Sequence, residues 1–188
     1  PMLKSTQRIY KDYGLEATKR ASDIAKKTIE QLRREYLEAI FTAAVRRRFD
    51  IWDFTQKFME SGLSLSLDIP EVMLSKKQDE LFRDFLIYCT QNNVEVESVP
   101  HDKGGMAHFR DISPEAAWIV EIYTRWHSKT GEACCEIAER APASLLKKIH
   151  KKAMKHPVED VLPLLIDYSA DAAVISSKDY DILAGETE

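Results

Sequence analysis

The chain has 188 residues, enough for one domain with an appendage, and its 44% apolar and 31% charged residues are typical of a soluble globular protein. No apolar run reaches the roughly 18 residues of a transmembrane helix, and residues 1–8 lack the apolar core of a signal peptide. Its three cysteines make no disulfide framework and suit a reducing compartment. We therefore expect a cytoplasmic protein that has no membrane partner.

The net charge of −4 is distributed unevenly along the chain. Residues 1–48 carry 12 Lys and Arg against 6 Asp and Glu, a net charge of +6, whereas residues 49–188 carry 15 against 25, a net charge of −10. A basic segment joined to an acidic body is typical of proteins that contact nucleic acid and also of arms that dock on an acidic protein surface. Composition leaves both classes of partner open.

A long amphipathic helix is predicted over residues 15–48, within a basic N-terminal arm of residues 1–48. Apolar residues recur there with helical spacing, in a stripe that is narrow in the first half of the helix. A narrow stripe stabilises a helix only when another surface covers it. We therefore expect Leu32, Tyr36 and Ile40 to be buried, against either a second copy of the chain or the chain's own domain.

Two short segments after this arm alternate between apolar and polar residues. The first, residues 63–67, follows a short helix that ends at Gly62, and the second, residues 94–99, follows an amphipathic helix. Alternation with a period of two predicts β-strands. If these strands pair, they form a two-stranded ribbon, which needs helices packed over it to be stable.

An aromatic helix is predicted over residues 114–130, between a Ser-Pro start signal and a terminal glycine. Trp118, Tyr123 and Trp126 recur there at helical spacing, and His127 follows directly. Such a face is either core or docking surface. We predict that Trp118 lies in the core, that Trp126 is more exposed, and that these four residues help to bind a partner protein.

Short apolar helices fill the chain from the aromatic helix to about residue 172. Pro142 and Pro157 each stand at the start of one of them, and connections of two to four residues are typical of a compact bundle. The predicted fold is therefore mostly α, with a long N-terminal helix, a compact helical domain over residues 49–172 and room for one small two-stranded β-ribbon. Residues 173–188 form a polar tail.

One of these short helices carries a basic face. Lys148, Lys151, Lys152 and Lys155 are spaced so that they lie together on its surface. A solvated face is the simplest interpretation of this cluster. Contact with the phosphates of a nucleic acid is the sharper hypothesis.

Catalytic, metal and cofactor sites lack a sequence signature. The histidines and cysteines do not have the spacing of a zinc site, so we predict no metal and no cofactor. Cys134 and Cys135 follow a helix start and lie close in sequence to His127, the arrangement of an activated thiol. Glu132 and Glu136 beside them disfavour a thiolate. We therefore predict ordinary thiols, at least one of them buried, and no catalytic residue.

Residues from Phe49 onward, about two thirds of the chain, resemble a family of uncharacterised proteins from Gram-positive gut bacteria. The matching positions are residues 54–61, Leu67-Asp68, Trp118-Ile119, Tyr123, Trp126-His127, Thr130-Gly131-Glu132, Ile137 and Ala141-Pro142. Members of this family share the Trp-His…Thr-Gly-Glu order and are loosely associated with toxin–antitoxin-like cassettes. The resemblance implies an antitoxin-like or accessory protein whose partner is a co-encoded toxin.

Together these patterns predict a non-enzymatic protein that binds another protein through the aromatic helix or the arm, with a homodimer through the arm as one form. A DNA-binding regulator that uses the basic arm is the first alternative. A cysteine-dependent enzyme is the second.

Overall fold

A computed structural model describes residues 28–100 and 111–170, and this part of the chain is mostly helical. Its elements are α1 (Ile29–Arg46), α2 (Ile51–Glu60), a 3₁₀ helix (Leu63–Leu67), α3 (Pro70–Ser75), α4 (Gln78–Asn92), α5 (Pro114–Thr130), α6 (Cys134–Arg140), α7 (Ala143–Ala153) and α8 (Val158–Ala170). The predicted mostly α fold is confirmed. No helix within these two ranges has the length and apolarity needed to cross a bilayer.

Helix α1 begins at Ile29 because Thr28 caps it. The Thr28 hydroxyl accepts a hydrogen bond from the Gln31 amide at 3.2 Å, and the Gln31 side chain accepts one from the Thr28 amide at 3.0 Å. This capping box holds Thr28 in an extended conformation, with ψ at 156°. The predicted continuous helix over residues 15–48 is therefore wrong at Thr28. The remainder of the predicted arm, residues 1–27, lies outside the described residues.

The apolar stripe of α1 packs inside the chain's own domain. Leu32, Tyr36 and Ile40 are all buried, which confirms the predicted burial. Helix α1 lies against α5 and α4, and the Tyr36 hydroxyl hydrogen-bonds to the carbonyls of Met73 and Lys76. These three side chains are therefore not a surface for a second subunit, and the core is not divided at residue 48.

The first predicted strand is a 3₁₀ helix. Gly62, with φ at +75°, reverses the chain after α2, and residues 63–67 then coil with three residues per turn. Ser64 and Leu67, three apart, are buried as a result, and the Ser64 hydroxyl donates to the Met59 carbonyl at 2.9 Å. The alternating Leu and Ser residues of this segment therefore form a 3₁₀ helix, and the strand prediction is wrong.

The second predicted strand pairs with the start of α2 instead. Within the described part of the chain its only β-contact is an isolated bridge between Phe49 and Ser98. The Asp50 amide donates to the Glu97 carbonyl at 2.7 Å, and the Val99 amide donates to the Arg48 carbonyl at 2.8 Å. These bonds satisfy the extended backbone locally, so the predicted ribbon is absent from the described residues.

An aromatic cluster joins α1, α2 and α4 at the centre of the core. The Phe54 ring lies 5.4 Å from Phe41, 5.6 Å from Phe58 and 5.3 Å from Phe85, measured between ring centroids. Edge-to-face and offset contacts at such distances add to the stabilisation that burial provides. Helix α1 also packs against α5, and α2 packs against α6 and α7, so the cluster is part of one continuous core.

Candidate functional site

Trp126 is fully buried, so its predicted exposure as a partner anchor is wrong. Its indole Nε1 donates a hydrogen bond to a carboxylate oxygen of Glu132 at 2.5 Å. The Arg140 guanidinium lies 5.4 Å from the ring centroid and pairs with the same carboxylate. Helix α6 therefore covers this tryptophan, which the sequence pattern of α5 by itself did not reveal.

The other aromatic residues of α5 are also core residues. Trp118 is buried as predicted, and Tyr123 is buried as well, against α1 and the neighbouring helices. Neither side chain presents a surface to a partner. His127 alone among the predicted binding residues of α5 is only partly buried.

His127 belongs to a polar cluster, which we call the Asp68 cluster, formed by Arg33, Asp68, His127 and Cys134. The His127 Nδ1 atom lies 2.7 Å from the Glu132 carbonyl oxygen and 3.4 Å from an Asp68 carboxylate oxygen. Asp68 follows the 3₁₀ helix and is far from the other members in sequence. Sequence analysis missed its role because the pattern predicted a strand there.

Asp68 connects three elements of the fold. Its carboxylate accepts a hydrogen bond from the Cys134 amide at 3.2 Å, at the start of α6, and lies 3.7 Å from the Cys134 thiol. Its Oδ1 is 3.9 Å from Nε of Arg33, a guanidinium with 3% of its surface exposed. Arg33 Nε also donates to the Leu67 carbonyl at 2.9 Å. Burial raises the pKa of Asp68 and lowers that of Arg33.

Cysteine-dependent hydrolases use a cysteine, a histidine and an aspartate, and the Asp68 cluster contains all three residue types. Their arrangement here does not activate the thiol. Cys134 is fully buried, which confirms that at least one of the adjacent cysteines is a core residue. Burial, followed by the charge of Asp68, raises its pKa well above the usual range, so the thiol stays protonated. The carboxylate that disfavours the thiolate is therefore Asp68.

Thiol alkylation tests this assignment. We expect iodoacetamide at neutral pH to modify the partly exposed Cys89 and Cys135 before the buried Cys134, because alkylation requires an accessible thiolate. Peptide mass spectrometry after timed labelling measures the order. Rapid and selective alkylation of Cys134 that disappears in a His127→Ala variant would instead identify a catalytic thiol.

Two buried tyrosines differ in whether their hydroxyls have hydrogen-bond partners. The Tyr36 hydroxyl has carbonyl partners, whereas that of Tyr123 is buried without a hydrogen-bond partner among the described residues. We expect Tyr36→Phe to lower the free energy of unfolding by about 1 kcal/mol and Tyr123→Phe to raise it by about 1 kcal/mol. Urea denaturation of both variants measures these changes, and equal losses would contradict the assignment.

The predicted basic face exists on the solvent side of α7. Lys148, Lys151 and Lys155 are exposed and Lys152 is half-buried, while the opposite face of the helix packs into the core. Lys148, Lys151 and Lys152 lie on α7, which ends at Ala153, whereas Lys155 lies in the turn just beyond it. Contact with phosphate stays a prediction.

A cavity of about 310 Å³, which we call the Trp52 cavity, opens where the starts of α2 and α5 meet α7. The described residues that line it are Val45, Arg48, Phe49, Asp50, Ile51, Trp52, Val99, Pro100, Ser113, Glu115 and His150. The His150 ring lies 5.0 Å from that of Trp52 and 6.3 Å from that of Trp118. No member of the Asp68 cluster lines it.

Three large aliphatic side chains are exposed between the 3₁₀ helix and the end of α3. Leu65, Ile69 and Leu74 keep 44%, 46% and 44% of their surface exposed. They belong to the 3₁₀ helix, the junction after it and α3, two elements that pack against each other. We call these three side chains the 65–74 edge.

Within residues 28–100 and 111–170, no group of three or more His, Cys, Asp and Glu side chains is arranged to hold a metal ion. Comparisons with known protein families, curated proteins and solved structures find no match to this chain. The family resemblance of the residues from Phe49 onward accordingly stays a prediction.

Proposed function

We propose that this chain is a non-enzymatic protein that binds another protein, and that the 65–74 edge is its contact surface. The observation that carries the proposal is the exposure of three large aliphatic side chains within ten residues. Single exposed leucines are ordinary on protein surfaces, whereas clustered ones mark interaction sites. Of the residues first expected to bind a partner, on α1 and α5, all except the partly buried His127 are core residues.

The hydrogen bonds and the burial of the polar residues support a binding role rather than catalysis. In the Asp68 cluster, Asp68 and Arg33 hydrogen-bond to backbone groups, and the thiol of Cys134 is protonated and buried. A nucleophile needs a stabilised thiolate and an open site, and Cys134 has neither. The cysteine-dependent enzyme is therefore the least favoured of the three hypotheses.

The partner that we propose is a protein encoded beside this one, in keeping with the cassette-type setting that the resemblance implies. Its complementary surface would be an apolar helix face, since the 65–74 edge offers three exposed aliphatic side chains. A second copy of the chain is the alternative occupant. Sedimentation of the isolated protein distinguishes the two, because only self-association makes the mass rise with concentration.

Co-purification tests the proposal. Products of the neighbouring genes are co-expressed with the wild type, with Leu65→Glu/Leu74→Glu, and with Ile87→Glu as matched control. Ile87 is 47% exposed on α4, so its replacement adds a charge to an equally exposed aliphatic position outside residues 65–74. We expect the wild type and the control to retain the partner and the double variant to lose it.

Retention of the partner by the double variant would place the contact elsewhere on the molecule. Failure of every neighbouring product to bind, with a constant monomeric mass, would reject protein binding through this edge. Circular dichroism of the three proteins confirms in each case that the substitutions leave the helical fold intact.

DNA binding is the second candidate function, because Lys148 and Lys151 are exposed on α7 and residues 1–48 carry a net charge of +6. A nucleic-acid contact through phosphates weakens steeply with salt. Mobility shifts of random duplex DNA between about 50 and 200 mM salt, for the wild type and Lys148→Glu/Lys151→Glu, test this alternative. Equal shifts for both proteins would exclude the α7 face.

A further inference from the structure

The Trp52 cavity is a second site, separate from the 65–74 edge. Its walls are largely apolar, with the rings of Phe49 and Trp52 beside the aliphatic side chains of Val45 and Ile51. A volume of about 310 Å³ matches the smaller of the cavities that bind small molecules. Ring contact with His150 fixes the orientation of Trp52 on one side of the space.

The charged residues that line this cavity differ in whether they have hydrogen-bond or ion-pair partners. The Asp50 carboxylate caps α2, accepting hydrogen bonds from the amides of Trp52 and Asp53 at 3.0 Å each, and it lies 3.9 Å from the Lys147 ammonium. Arg48 also lines the cavity, and this residue is not without a partner. The Asp50 carboxylate is therefore engaged before any ligand binds.

Glu115 is the exception among the charged lining residues. It is half-buried in the first turn of α5, and its carboxylate has no hydrogen-bond or ion-pair partner among the described residues. The Ser113 hydroxyl caps the same helix by accepting from the Ala116 amide at 3.2 Å, so Glu115 is not needed as a cap. An unpaired carboxylate beside an apolar cavity leaves strong hydrogen-bond acceptors unused.

We propose that the Trp52 cavity binds a small aromatic molecule that carries a protonated amino group. The ammonium group would donate hydrogen bonds to the Glu115 carboxylate, and the aromatic ring would pack between Trp52 and the aliphatic wall. Aromatic rings attract both a flat apolar body and a nearby cation, so this wall suits both parts of such a ligand. An aromatic carboxylate of the same size meets repulsion from Glu115 instead.

Matched indole probes test the charge requirement. Titration calorimetry with tryptamine, indole and indole-3-acetate varies the charge while the ring stays the same. We expect tryptamine to bind at least about tenfold more tightly than indole-3-acetate, a difference of about 1.4 kcal/mol. Equal affinities for the two charged probes, or no binding of any probe, would overturn the proposal.

Two variants locate the site. Glu115→Gln is expected to weaken tryptamine binding about tenfold while indole binding stays unchanged. Glu139→Gln, at an exposed carboxylate on α6 outside the cavity, is the control and should leave both unchanged. Val99→Trp enlarges an exposed lining residue without opening the core, and it should block all three probes. Unaltered tryptamine binding in both Glu115→Gln and Val99→Trp would refute the assignment.

Discussion

Replacement of Trp126 by alanine is expected to lower the free energy of unfolding by about 3–5 kcal/mol. The side chain is fully buried between α5 and α6, and truncation leaves a cavity that the surrounding helices fill only in part. It also removes the hydrogen bond to Glu132 and the ring beneath Arg140. Urea denaturation followed by far-ultraviolet circular dichroism measures the change.

Trp126→Phe separates packing from hydrogen bonding at this position. It keeps most of the buried aromatic surface and removes the indole donor, so we expect a smaller loss than for alanine. Lys129→Ala, an exposed change on the same helix, should leave stability within about 0.5 kcal/mol. A wild-type midpoint for Trp126→Ala would mean that this residue is not part of the core.

Asp68→Ala is expected to destabilise the fold by about 3–5 kcal/mol, because it leaves the buried Arg33 guanidinium without its counter-charge. The same substitution removes the acceptor for the Cys134 amide at the start of α6. Desolvation disfavours the charged form of both partners, which lowers the pKa of Arg33 and raises that of Asp68. The pair is thus costly to bury and more costly to break.

A double-mutant cycle measures this coupling directly. Arg33→Met/Asp68→Ala removes both charges and should recover a large part of the stability that Asp68→Ala loses. Asp79→Ala is the control, since Asp79 and Arg83 form an exposed pair at 3.6 Å whose loss should cost less than about 1 kcal/mol. Additive effects of Arg33→Met and Asp68→Ala would show that the two charges do not interact.

Local signals in the sequence determined most of the helices. Ser113 caps α5 through its hydroxyl, and Gly131 ends the helix with φ at +76°, a conformation that glycine adopts without strain. Both signals act between residues three or four apart, so they can be interpreted before the fold is known. The burial of Leu32, Tyr36 and Ile40 likewise follows from helical spacing alone.

Only the tertiary structure decided what covers each apolar face. The spacing of α5 places Trp126 on an apolar face, but the partner of that face is α6 rather than another protein. The alternation of residues 63–67 fits a strand as well as a 3₁₀ helix. Packing against the neighbouring helices decided that this segment forms a 3₁₀ helix. Asp68 meets Arg33 and Cys134 only because the chain folds back over distances of 35 and 66 residues. Periodicity specifies which side of an element is apolar, whereas the pairing of elements depends on the packing of the whole core.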